Sequence, residues 1–219
     1  MAFGIHWEWR AFGAVSTDVV DKFSSLHKQF EPQDIEDLYL WIPGDKINAK
    51  FRKGAEGGLK FKRLKEVSGE LEQWYENQDE MFEFPLQRDA WETLARALTD
   101  ARVTLPGYPP EPPDRARATQ YLIDAGCQTV MIRKRRTGRL WQGPSGKVKM
   151  EWACISTPQS VISIGLETWN EEPSGDSLSD AQAQEDIVAA IEHLGLKREP
   201  LKVMNYLDAL LLWARKQKM

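Results

Sequence analysis

The stretch "LKFKRLK" at residues 59–65 sets Leu59 and Phe61 against Lys60 and Lys62. Only an extended chain sorts such a pattern, because successive side chains of a strand project to opposite faces. The pattern recurs along the chain. Taken at alternate positions, one face collects His6, Glu8 and Arg10; Lys50 and Arg52; Lys60 and Lys62; Glu70 and Glu72; Arg133 and Arg135; Lys147, Lys149 and Glu151; and Glu167 with Trp169. The opposite face carries Trp7, Trp9, Phe51, Phe61, Leu71, Val148, Met150, Trp152, Leu166 and Thr168. A fold made of these segments has one charged and one greasy side to every strand.

The remaining segments supply cover for the greasy side. Strands are expected at 4–13, 37–43, 48–53, 59–65, 70–76, 127–136, "LWQGP", 147–156 and 160–172, with turns at Pro43-Gly44-Asp45 and Gly54 to Gly58. Helices are expected after the caps Ser16, Thr17 and Asp18, where Val19, Val20, Phe23, Leu26 and Phe30 recur at helical spacing. Further helices are expected over 87–101, around 115–125, from Ser179 (capped with Gln182) to about Leu194, and from Lys202 to about Lys216, with Leu207, Leu210 and Leu211 as core candidates. The proline-dense "LPGYPPEPPD" at 105–114 excludes helix and reads as an extended crossover between two halves. A chain of 219 residues with 42% hydrophobic and 28% charged content buries a good-sized core, and a single domain over 1–219 is expected.

In an open antiparallel sheet the charged face would simply be the wet one. Four or more amphipathic helices need an apolar surface to cover, and about eight strands suffice to close a barrel. The expected class is therefore α+β: an antiparallel barrel of about eight strands, greasy side outward under helices, charged side lining the lumen. Buried charges lose hydration, so such a lumen calls for water or a polyanion inside.

Charge is segregated along the chain. Between Lys46 and Lys65 eight Lys or Arg face one acid, Glu56, and a second basic block, "RKRRTGR", covers Arg133 to Arg139. The whole chain nevertheless has net charge −4 and a pI near 5.5, against the broad basic surface of a general nucleic-acid binder. An outward basic sheet binding single-stranded RNA would also want an exposed aromatic pair, which these strands do not offer. No nucleic-acid partner is expected. No run approaches the roughly 20 apolar residues of a spanning helix, and "MAFGIHWEWR" lacks the basic-then-apolar pattern of a signal peptide, so a cytoplasmic protein without a membrane partner is expected. Cys127 and Cys154 are too few and too far apart for a metal knuckle or disulfide framework and read as buried thiols. The nine tryptophans read mostly as packing residues, with Trp169 on the lumen side.

In order, "HWEWR" (6–10), "KFR" (50–52), "KFK" (60–62), "RKR" (133–135), "GLE" (165–167), "HLGL" (193–196) and "NYLDALL" (205–211) resemble the motifs of the CYTH, or triphosphate tunnel metalloenzyme, superfamily, over nearly the whole chain. That family opens on an ExExK strand, continues through RxR and KxK strands, and closes on an ExE strand followed by two helices. The resemblance implies a tunnel that takes a small-molecule triphosphate, polyphosphate or nucleotide. It implies phosphate binding by Arg10, Lys50, Arg52, Lys60, Lys62, Arg133 and Arg135. It also implies Mg²⁺ or Mn²⁺ held by Glu8, Glu72, Glu151 and Glu167, with phosphoanhydride hydrolysis as the activity. This chain departs from the pattern at three places: His6 stands for the first glutamate, Arg10 for the lysine and Gly165 for the first acid of the closing pair. Two carboxylates are missing while the basic pairs persist, so a noncatalytic polyphosphate or nucleotide binder, a sensor or scaffold, is the alternative. His6 is either a nitrogen ligand or simply a polar lumen residue. Nothing selects a nucleobase.

Overall fold

The computed structural model describes residues 3–42, 47–53, 58–77, 82–99, 103–170 and 177–216. The expected turns at 43–45 and 54–57, the side chain of Phe61 and the end of the 160–172 strand beyond Asn170 lie outside the described residues. The strands are β1 (Phe3–Phe12), β2 (His27–Trp41), β3 (Ile47–Lys53), β4 (Leu59–Ser68), β5 (Leu71–Asn77), β6 (Gln128–Gln142), β7 (Lys147–Thr157), β8 (Val161–Trp169) and the two-residue β9 (Lys202–Val203). The helices are α1 (Thr17–Ser25), α2 (Arg88–Thr99), α3 (Arg115–Asp124), α4 (Asp180–Leu194) and α5 (Tyr206–Lys216). The strands pair antiparallel in the order β5-β4-β3-β2-β6-β7-β8-β1, and β1 also pairs β5, so the circuit returns to its start. β9 adds two residues beside the end of β1. The α+β barrel expected from the alternation is the fold observed.

The greasy faces meet helices as the alternation requires. Trp7 and Trp9 of β1, Val148 and Met150 of β7 and Leu166 of β8 pack under α1 and α4, against Val19, Phe23, Ile187 and Leu194. Leu40, Phe51 and Leu59 pack under α2 and α3, against Trp91, Leu94 and Leu122, and the crossover contributes Leu105. Burying side chains of this size is worth about 1.5–3 kcal/mol each, so the two clusters fix which strand face points inward. The Ser179–Gln182 pair forms a reciprocal capping box at the start of α4. Gly195 ends that helix at φ 80°, a left-handed conformation glycine reaches without a Cβ clash.

α5 does something different. Tyr206, Leu207, Leu210 and Trp213 pack on Phe12, Tyr39, Val130, Ile132 and Ile155, which are inward-facing residues near one end of the barrel. Asn205 caps this helix, its Oδ1 accepting from the Asp208 N–H. The cap holds Tyr206 at the cavity.

Four local expectations are corrected, one of them the helix expected from Lys202, which starts at Tyr206 after Lys202 and Val203 have paired as β9. The helical spacing from Val19 to Phe30 breaks at Ser25, and His27 starts β2. Pro32 cannot lie inside a helix, and Phe30 pairs with Gly138 of β6, where a Cβ would collide with the Phe30 ring. "LWQGP" is no separate strand; its Leu140 to Gln142 finish the 15-residue β6. Cys127 is buried as expected, which raises its thiol to about 11, but Cys154 faces outward on β7 and is exposed.

Candidate anion-binding tunnel

The pairing register decides which side chains share the lumen. Directly opposed residues of antiparallel strands lie on the same face. From β1, Glu8 opposes Glu167 of β8 and Glu72 of β5; Glu167 opposes Lys149 of β7. From β3, Lys50 opposes Lys60 of β4 and Tyr39 of β2; Arg52 opposes Asp37; Lys62 opposes Glu76. All of these except Glu72 and Asp37 line a cavity of about 1110 Å³ that also takes in Arg10, Lys134, Arg136, Glu151, Asn205, Tyr206 and Trp169. Among the described residues eight Lys or Arg line it against six carboxylates, Glu8, Glu76, Glu83, Asp89, Glu151 and Glu167.

Arg10, Lys50, Arg52, Lys60 and Lys62 therefore stand where the alternation put them. Arg133 and Arg135 do not: both face outward, 61% and 64% exposed, and pair with Glu36 at 2.9 Å and Asp34 at 3.3 Å. Lys134 and Arg136 point inward in their place. In the run "RKRR" either parity presents two cations, so alternation cannot choose. The choice is made by Val130 and Ile132, packed beneath α5, which carry their even-numbered parity along the strand. A register shift against β7 falls at Arg133/Lys134. Glu76 is a lumen residue the sequence reading passed over, although it lies in step with Glu72. Asp37 and Tyr206 were missed as well: Asp37 follows Glu36 directly, so the two adjacent acids show no alternation, and Tyr206 arrives on a helix.

The lumen is laced together. Glu8 Oε1 accepts from Arg10 Nε at 2.6 Å, and Glu8 Oε2 accepts from Lys62 Nζ at 3.1 Å. Burial alone would raise the Glu8 carboxyl, but Lys62 and Arg10 hold it well below the usual range. Glu151 accepts from Lys134 at 3.0 Å, Arg136 at 3.2 Å and Arg10 at 3.4 Å; against its burial, these cations hold it well below the usual range too. Glu76 takes Lys60 at 2.6 Å and Lys62 at 2.8 Å, and Asp37 holds Arg52 in a forked pair at 2.9 and 3.2 Å.

Lys50 differs from the others. Among the described residues it bonds no carboxylate, its ammonium lying 5.7 Å from the centre of the Tyr39 ring. Burial depresses its pKa well below the usual lysine value; Asp37 opposes this, while Arg52, Lys60 and Lys134 add to it. Tyr206 stacks on Tyr39 with centroids 5.5 Å apart, under the Arg10 guanidinium at 4.7 Å.

Glu72 is raised to about 7, mainly by burial, with Glu8 adding to the shift; Asn205 Nδ2 and Trp74 Nε1, which donate to its two oxygens, work against it. Between about 4.5 and about 7 the folded state thus keeps a proton the unfolded chain has lost, so Glu72's contribution to stability is present at low pH and drains away as pH rises through that window. Thermal melts should show Glu72→Gln gaining on the parent protein steadily from pH 5 to pH 7. A constant difference would remove Glu72 as the titrating group.

The fit of a divalent ion is decided by the donors. Mg²⁺ and Mn²⁺ want several free oxygen ligands. Of the four expected carboxylates, Glu8 and Glu151 are bound by cations on both oxygens, and Glu72 is held by Asn205 and Trp74. Glu167 accepts from the Trp169 indole at 3.0 Å. His6, Glu8 and Glu167 bring donor atoms within 4.8 Å of one another, the one such group among the described residues. His6 is buried, and its Nδ1 has no hydrogen-bond partner among the described residues. Its Nε2, however, lies 3.2 Å from the Lys62 ammonium. A cation of the chain already stands among these donors, and they do not fit a resident ion.

No family profile and no curated protein matches the sequence. Among solved structures, a conserved hypothetical protein from Pyrococcus furiosus aligns at TM-score 0.54 and 16% identity over 93% of this chain and 98% of its own. A Pyrococcus horikoshii protein aligns at 0.51 and 11% identity, over 93% and 98%. A protein described as a putative adenylate cyclase, from Bacillus halodurans, aligns at 0.48 and 11%, over 91% and 95%. At these identities the likeness is one of fold. With eight paired strands closing on a charged lumen beneath their helices, the chain shares its fold with the two Pyrococcus proteins, and it is a barrel of the kind that the CYTH resemblance led one to expect.

Proposed function

We propose that the tunnel binds a polyphosphate-type anion, inorganic triphosphate or the triphosphate group of a nucleotide. The observation that carries the reading is Lys50. It sits directly opposite Lys60, flanked by Arg52 and Lys134, inside the cavity and without a carboxylate of its own among the described residues. Like charges directly opposed in a sheet are unfavourable, and burying an ammonium without a carboxylate partner costs hydration as well. A multiply charged anion relieves both. Arg52, Arg10 and Arg136, each held by a partner of its own, add fixed positive charge around the anion, and the lysines supply movable point charges.

The reading predicts proton uptake. A bound anion raises the Lys50 pKa toward its ordinary value, so between the depressed and the ordinary value the complex draws a proton from the buffer. Calorimetric titration with triphosphate in two buffers of different ionisation enthalpy should give different heats, and Lys50→Arg, which stays charged, should abolish most of the difference. Absence of binding would sink the reading.

Hydrolysis with Mg²⁺ or Mn²⁺ is the second reading; the approach of His6, Glu8 and Glu167 speaks for it, and the Lys62 ammonium standing among them speaks against it. It predicts orthophosphate release that is lost in Glu8→Ala and in Arg52→Ala. Binding without turnover under any divalent ion leaves the first reading alone.

A further inference from the structure

Arg10 and Gly165 face each other across the β1–β8 pairing. A Cβ placed on residue 165 would lie 2.7 Å from Arg10 Cζ and 2.9 Å from its Nη1, far inside van der Waals contact. No side chain fits at residue 165 while the guanidinium keeps its place. That place is fixed by three acceptors: Glu8, Ser163 at 3.1 Å and Glu151. The arginine on β1 and the glycine on β8 are thus one arrangement, with a cation filling the volume a carboxylate side chain would need.

Lys62 does the same next to it. Its ammonium lies 3.1 Å from Glu8 Oε2, 2.8 Å from Glu76 Oε2 and 3.2 Å from His6 Nε2. Two members of the group with metal-ligand spacing are therefore already turned on a positive charge, and the third, Glu167, lies close enough to stabilise that charge as well. A divalent ion placed there would meet an ammonium where it needs an oxygen.

We propose that the Arg10 guanidinium and the Lys62 ammonium take the place of a bound divalent cation, so that the tunnel takes its polyphosphate anion directly and in metal-free form. The inference rests on the anion-binding reading above. Its consequence has a definite sign. Mg²⁺ complexes polyphosphate in solution and withdraws the form the site accepts, so added Mg²⁺ weakens apparent binding instead of enabling it.

The test is calorimetric titration of the intact protein with sodium triphosphate, once in EDTA and once in excess Mg²⁺ or Mn²⁺. The expected result is saturable binding in EDTA, at least as tight as with either metal. Binding that appears only with metal overturns the inference and leaves the anion-binding reading standing; no binding in either condition overturns both. A second measurement reads the metal without the anion. The electron paramagnetic resonance signal of free Mn²⁺ should be undiminished by the parent protein, and should fall with the double variant Arg10→Lys, Gly165→Glu, which clears the volume and restores a carboxylate. Quenching by the parent protein equal to that of the variant overturns the proposal.

Discussion

Glu151→Gln is expected to unfold about 10 °C below the parent protein and to regain most of that loss when inorganic triphosphate is added. Glu151 is the anion shared by Lys134, Arg136 and Arg10. Removing its charge leaves three cations crowded in a poorly hydrated lumen. Breaking a buried pair by deleting one partner costs about 3–5 kcal/mol, and for a chain of this length each kcal/mol moves the midpoint by about 2–4 °C. Glutamine keeps the shape and one acceptor oxygen, so the loss reports charge and not packing. The same three cations are then free for phosphate, so the ligand-induced shift in Tm should be larger in the variant than in the parent. A variant that melts normally, or one that is destabilised and not rescued, contradicts the role given to Glu151.

The second large effect separates the two faces of β6. Arg136→Ala is expected to weaken triphosphate binding by about tenfold to a hundredfold, because a charged hydrogen bond is worth about 1.5–3 kcal/mol and each 1.4 kcal/mol is about tenfold in affinity. The double variant Arg133→Ala, Arg135→Ala should bind as the parent does, with stability within about 1 kcal/mol, since exposed ion pairs contribute little. Loss of binding in the outward double variant with none in Arg136→Ala would reverse the assignment. Affinity should also fall with added salt, as it does for any site built on charge.

How much of this was legible in the residues follows from what alternation can and cannot see. Wherever one apolar residue separates two cations, as Phe51 does Lys50 from Arg52, the parity is unique and the lumen face was readable. In the four consecutive cations of β6 it is not, and only the packing of Val130 and Ile132 beneath α5 resolves it. The helical reading through Phe30 failed for a related reason: the spacing is local, whereas the pairing of Phe30 with Gly138 joins residues far apart in sequence. The relation between Arg10 and Gly165 was hidden for the same reason. Each looked like a separate departure from a motif, and only the cross-strand register shows one side chain filling the other's space. Tyr206 could not be placed by any strand pattern, because it reaches the cavity from the start of a helix.

The most direct measurement is a crystal structure of the protein grown with inorganic triphosphate. The account predicts phosphate density inside the barrel, in contact with Lys50, Arg52 and Lys60 and within reach of Lys134. Phosphate bound on the outer face beside Arg133 and Arg135, with the lumen holding only water, would contradict it.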